Sequence, residues 1–94
     1  MHIKLSSKLE NYLYIKDIKE ITIDYIKLKM CWARPYLPSV LTGKPSSNRN
    51  YVLYKHNGLC FYIDENLYTS KDLLKLDLRK FLFLNEIYVA NHKA

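Results

Sequence analysis

The stretch YVLYKHNGLCFYID, residues 51–64, constrains the fold more than any other part of the chain. Asn57 and Gly58 stand between two runs rich in aromatic and aliphatic residues, and both tolerate the positive φ of a two-residue type I′ turn. Such a turn fixes the register. His56 faces Leu59, Lys55 faces Cys60, Tyr54 faces Phe61, Leu53 faces Tyr62 and Val52 faces Ile63. Side chains alternate along a strand, so Val52, Tyr54, His56, Leu59, Phe61 and Ile63 share one face. Tyr51, Leu53, Lys55, Cys60, Tyr62 and Asp64 share the other. The first set is the better core. The second mixes tyrosines with a lysine and is the candidate contact face.

Upstream of the hairpin the pattern reads as mainly helical. His2–Leu5 suits a short first strand, and Ser6-Ser7 with Glu10 offers an N-cap for a helix over 8–14. In 17–33, Ile18, Ile21, Tyr25, Leu28 and Trp32 recur at steps of three and four, a helical stripe. ITIDYIKLKM also alternates and begins with β-branched residues, but the stripe outruns a typical strand, and a helix is expected. Pro35 disfavours helix at Arg34, so 35–50, which holds all three prolines, reads as a connector. After the hairpin, Thr69 or Ser70 caps a short helix using Leu73, Leu74 and Leu78, and RKFLFLNEIYVA supplies a final strand. The expected fold is α+β: one small domain, N-terminal helices packed on a short antiparallel sheet containing the 51–64 hairpin. The mainly helical half spans 1–34, the connector 35–50, and the hairpin, short helix and last strand 51–90.

Charge is distributed unevenly. The net +6 lies entirely in residues 25–63, where Lys27, Lys29, Arg34, Lys44, Arg49 and Lys55 meet no Asp or Glu. The same segment interleaves Tyr25, Trp32, Tyr36, Tyr51, Tyr54, Phe61 and Tyr62. Cations neutralise phosphates and flat rings stack on bases. Arg34 and Arg49 have no acid nearby in sequence and are free to meet phosphate or an acidic partner. The candidate binding residues are therefore Lys27, Lys29, Trp32, Arg34, Tyr36, Lys44, Arg49, Tyr51, Lys55 and Tyr62.

Much chemistry is excluded. With Gly43 and Gly58 the only glycines, the chain has neither a P-loop nor a dinucleotide-binding fingerprint. His2, His56, His92, Cys31 and Cys60 show no metal-ligand spacing, so no metal and no cofactor is expected. No apolar run approaches a membrane span and no signal-peptide core opens the chain, which predicts a cytoplasmic protein with no membrane partner. In a reducing compartment Cys31 and Cys60 are expected as unpaired thiols. Lys outnumbers Arg twelve to three and Ile, Asn and Tyr are abundant, a composition that suits an AT-rich bacterial, phage or plasmid genome.

The leading expectation is a non-enzymatic protein that binds nucleic acid, RNA before DNA, or a nucleic-acid-handling complex, as a phage- or plasmid-type regulator or inhibitor. An alternative is a protein-only interaction module anchored by Trp32, Arg34 and Tyr36, residue types that dominate interface centres. A second alternative is a compact metal-free ribonuclease toxin with His56 as base and Arg34, Arg49, Lys55, Tyr51 and Tyr62 around it.

Overall fold

The structure, a computed structural model, describes residues 1–27, 36–46 and 49–91. Among the described residues seven strands and two short helices follow one another: β1 His2–Leu5, α1 Ser7–Ile15, β2 Glu20–Lys27, β3 Tyr36–Thr42, β4 Tyr51–His56, β5 Leu59–Asp64, α2 Glu65–Ser70, β6 Leu73–Phe81 and β7 Leu84–Val89. They form two sheets, one of three strands in the order β1-β6-β7 and one of four in the order β3-β2-β5-β4. The expected N-terminal helical layer on a short antiparallel sheet is overturned. The fold is mostly β, and each sheet contains one parallel pair, β1 with β6 and β2 with β5.

The correction turns on residues 20–27. Ile21 and Ile23 are buried and Tyr25 packs beside them, while Glu20, Thr22, Asp24 and Ile26 take the other face. That is a period of two, which the β-branched run Ile21-Thr22-Ile23 favours over the helical stripe. Leu28 and Trp32, the far end of the stripe, lie outside the described residues. Part of the expected connector is also a strand. Pro38 is admitted because, among the described residues, β3 pairs only with β2 and stands at the sheet edge, where a missing N–H costs no ladder bond.

The expected helix after residue 69 moves upstream. Asp64 caps α2 by accepting a hydrogen bond from the Asn66 N–H at 3.0 Å. Residues 73–81 then form β6, with Leu74, Leu76 and Leu78 buried and Lys75 and Arg79 exposed. The final strand divides into β6 and β7 at a turn through Leu82 and Phe83. Three elements form as the sequence implies, the first being the strand β1 at His2–Leu5. α1 starts from Ser6, whose Oγ accepts from the Leu9 N–H. The 51–64 hairpin has the expected register throughout, with Asn57 at φ 49° and Gly58 at φ 78°.

The core lies between the sheets. Ile21, Ile23, Phe61 and Ile63 face Ile3, Leu74, Leu76, Leu78, Ile87 and Val89, with Leu9 and Leu13 of α1 and Leu67 of α2 joining the same cluster. The hairpin's Phe61 and Ile63 therefore point inward, and its other face looks away from the core.

Candidate functional site

The outer face of the four-stranded sheet is the candidate site. β2 runs through its middle and brings Glu20 beside Cys60 and Thr22 beside Tyr62, with Lys55 and Leu53 beyond them on β4. On the other side β3 sets Leu41 next to Thr22, Ser39 next to Asp24 and Leu37 next to Ile26. Leu37, Leu41 and Leu53 are exposed, and Ile26 partly so. Apolar side chains thus sit at both margins of a polar centre.

Two tyrosine–carboxylate pairs organise that centre. The Tyr62 hydroxyl donates to Glu20 Oε2 at 2.8 Å, and the Tyr51 hydroxyl donates to Asp24 Oδ1. The hydrogen bond to Glu20 holds the Tyr62 phenol above its ordinary pKa, and partial burial and the nearby carboxylate charge act in the same direction. Thr22 Oγ1 donates to the Gly43 carbonyl at 2.8 Å, tying the turn after β3 to the centre of the sheet.

Asp64 anchors one end of this sheet. Only 3% exposed, it accepts from the Tyr25 N–H at 3.2 Å, from the Asn66 N–H at 3.0 Å and from Arg49 Nη1 at 3.1 Å. Arg49 Nη1 also donates to the Tyr25 carbonyl at 2.9 Å. Backbone pairing of β2 with β5 stops at Ile23 and Ile63, and the Asp64 carboxylate and Arg49 guanidinium continue it. Arg49, expected to lack an acidic partner, has one that is buried.

The sequence-derived site residues divide three ways. Tyr51, Lys55 and Tyr62 share the outer face, and Lys44 is exposed in the turn after β3, lining a hollow of about 240 Å³ with Thr22, Asp24 and Leu41. Lys27 ends β2 opposite Tyr36 at the start of β3. Lys29, Trp32 and Arg34 lie outside the described residues. Glu20, Asp24 and Asp64 were missed as site residues, although the alternation of Glu20, Thr22 and Asp24 along β2 was a signal for the first two. The acid-free run in sequence is not acid-free in space, because β2 carries Glu20 and Asp24 into the middle of the basic segment.

The grouping needed for ribonuclease chemistry does not assemble among the described residues. His56 is on the core-side row of the hairpin, its ring centroid 6.4 Å from that of Tyr54 and its Nε2 3.3 Å from Asn57 Nδ2. Lys55 and Tyr62 project from the opposite face, and Arg49 is bound to Asp64, whose hairpin partner is Tyr51, about 17 Å along β4 from His56. Among the described residues, no group of three or more His, Cys, Asp or Glu side chains could hold a metal ion. No helix there is long and apolar enough to cross a membrane.

A family model described as "CC/Se motif containing family" matches residues 1–92. The sequence has no consecutive cysteines, since Cys31 is followed by Trp32 and Cys60 by Phe61. No curated protein matches. Among solved structures, the chain is similar to Escherichia coli SufA, titled as involved in biosynthesis of iron-sulfur clusters, with a TM-score of 0.52 and 8% identity over 98% of this chain and 83% of SufA. At that identity the likeness is one of fold. The described residues do not fit an iron–sulfur cluster, which thiolates hold, because Cys60 is the one thiol among them.

Proposed function

The chain belongs to the CC/Se motif containing family, named for a motif and not for a reaction, and from its surface we propose a non-enzymatic protein-binding module. The outer face of the four-stranded sheet is the contact surface. The observation that carries this reading is the exposure of Leu37, Leu41 and Leu53 around the Tyr51–Asp24 and Tyr62–Glu20 pairs. An apolar margin around fixed hydrogen-bonding groups suits a protein partner, whose own surface offers both kinds of contact. A phosphate backbone would meet Glu20 and Asp24 at the centre of this face, and like charges repel.

Nucleic acid is the second reading, favoured by Lys44 and Lys55, both exposed, and by the Tyr62 ring between Leu53 and Thr22. One experiment separates the two. The tagged full chain is used to recover partners from lysate with and without nuclease, at low and high salt, beside Leu41→Arg and Leu53→Arg. Under the first reading a defined protein is retained through nuclease and salt and is lost with both variants. Retention of nucleic acid alone, abolished by salt and unaffected by the leucine changes, would select the second. A protein retained through nuclease and salt and unchanged by either leucine substitution would remove the outer face from the proposal.

A further inference from the structure

The turn between β6 and β7 sets its most apolar residues where they are least shielded. Leu82, Phe83 and Leu84 are 77%, 94% and 72% exposed. Pairing of β6 with β1 ends at Leu76, and β6 runs on to Phe81, about 17 Å further. Leu82 adopts φ 57°, a left-handed backbone that is costly for a side chain of this kind and ordinarily taken by Gly or Asn. Three exposed apolar residues, one of them strained, are not explained by the need to turn the chain. Such patches mark contact sites.

A recess of matching character lies elsewhere on the molecule. It runs between the end of α1 and the β4–β5 turn, has a volume of about 680 Å³ and is lined by Leu13, Ile18 and Leu59 together with Glu10, Asp17 and Lys19. That size is in the range that encloses small ligands and side-chain clusters. Two carboxylates face one ammonium there, and Lys19 already lies 3.9 Å from Asp17. The projecting turn carries the opposite sign. Arg79 is held by Glu86 at 3.1 Å, and Lys80, exposed next to the apolar run, supplies positive charge.

We propose that the chain self-associates by seating the Leu82–Leu84 turn of one copy in the α1 recess of a second copy, with Lys80 meeting the Glu10 and Asp17 side. The two surfaces differ, so the contact closes as a reciprocal pair or continues head to tail. The Leu82–Leu84 turn and the α1 recess use residues other than those of the outer sheet face, and neither proposal depends on the other.

Sedimentation velocity on the full chain over a dilution series tests it, with circular dichroism confirming that each variant is folded. The wild type should associate reversibly to masses above the 11.2 kDa monomer. Phe83→Asp should weaken association about thirtyfold or more, as loss of a central aromatic anchor does. Tyr14→Lys, at the rim of the recess and exposed, should act likewise. Mixing the two variants should restore a heterodimer, because Phe83→Asp keeps an intact recess and Tyr14→Lys an intact turn. A wild type that is monomeric at every concentration, a Phe83→Asp variant that associates like the wild type, or a mixture that stays monomeric would each overturn the proposal. A monomeric wild type that sediments with phosphatidylserine vesicles through Phe83 would overturn it in favour of a lipid surface.

Discussion

Asp64 should be the polar side chain whose loss destabilises the protein most. Its carboxylate accepts from two backbone N–H groups on different elements, Tyr25 of β2 and Asn66 of α2, and from the Arg49 guanidinium. Truncation to Ala removes the cap of α2, at about 1 kcal/mol. It also strips the Tyr25 N–H of the carboxylate where the backbone ladder has ended, at about 1–3 kcal/mol for a shielded donor. The sum is about 2–4 kcal/mol, or a fall in Tm on the order of 10–25 °C for a domain of this size. Asp64→Asn retains one carbonyl oxygen and can serve one N–H but not both, so it should lose roughly half as much. Arg49→Gln leaves both N–H bonds in place but removes the charge partner of a buried carboxylate. With the Arg49 side chain 42% exposed, solvent screening limits that loss to about 1–2 kcal/mol. Thermal and urea melts should show Asp64→Ala losing most, with Asp64→Asn and Arg49→Gln each losing about half as much. An Asp64→Ala protein melting within a few degrees of wild type would refute the reasoning, as would an Arg49→Gln protein with an unchanged midpoint.

Two further outcomes follow from local geometry. A Cβ at Gly58 meets no atom within 4 Å, so the cost of Gly58→Val should be mainly conformational, about 1–2 kcal/mol for a side chain at φ 78°; an unchanged urea midpoint would disprove the turn's control of the hairpin. Asp77 is held below its ordinary pKa by hydrogen bonds from Ser6 Oγ and the Leu78 N–H, so the stability it contributes is present above the unfolded pKa of about 3.9 and is lost as pH falls through the folded value. Asp77→Asn should therefore differ from wild type in urea midpoint at pH 7 and converge with it in strong acid, and a gap that persists in acid would refute the assignment.

What the sequence made legible was local. Asn57-Gly58 needs nothing distant to fix a register, and Ser6 caps α1 from three residues away, so both were readable. The errors came where two periods competed. Ile18, Ile21 and Tyr25 fit a helix and Ile21, Ile23 and Tyr25 fit a strand. The choice was made by β3 and β5, which pair with β2 on both sides. Leu74-Lys75-Leu76-Asp77-Leu78 alternates cleanly, but Thr69 and Ser70 just upstream are also helix-cap residues, so two local signals conflict there. The site failed differently. Lys55 and Tyr62 were placed on one face by the hairpin alone, whereas the acids beside them arrive through a parallel pairing that nothing in the linear order announces. Arg49 and Asp64 meet for the same reason.

The pairing of β1 with β6 carries a consequence for when the molecule can exist at all. Ser6 bonds Asp77 across 71 positions of chain, and His2–Leu5 have their ladder partners in Leu73–Leu76. During synthesis β1 and α1 emerge long before the strand that shelters Ile3, Leu9 and Leu13. Until residues 73–78 follow, that surface is uncovered and available to chaperones or to other nascent chains. Contacts of such span must pay loop-closure entropy before they return anything, which makes folding slow relative to a local helical bundle of equal length. A ribosome stalled near residue 70 would display the hairpin's own pairing, but the two-sheet core would still lack one wall.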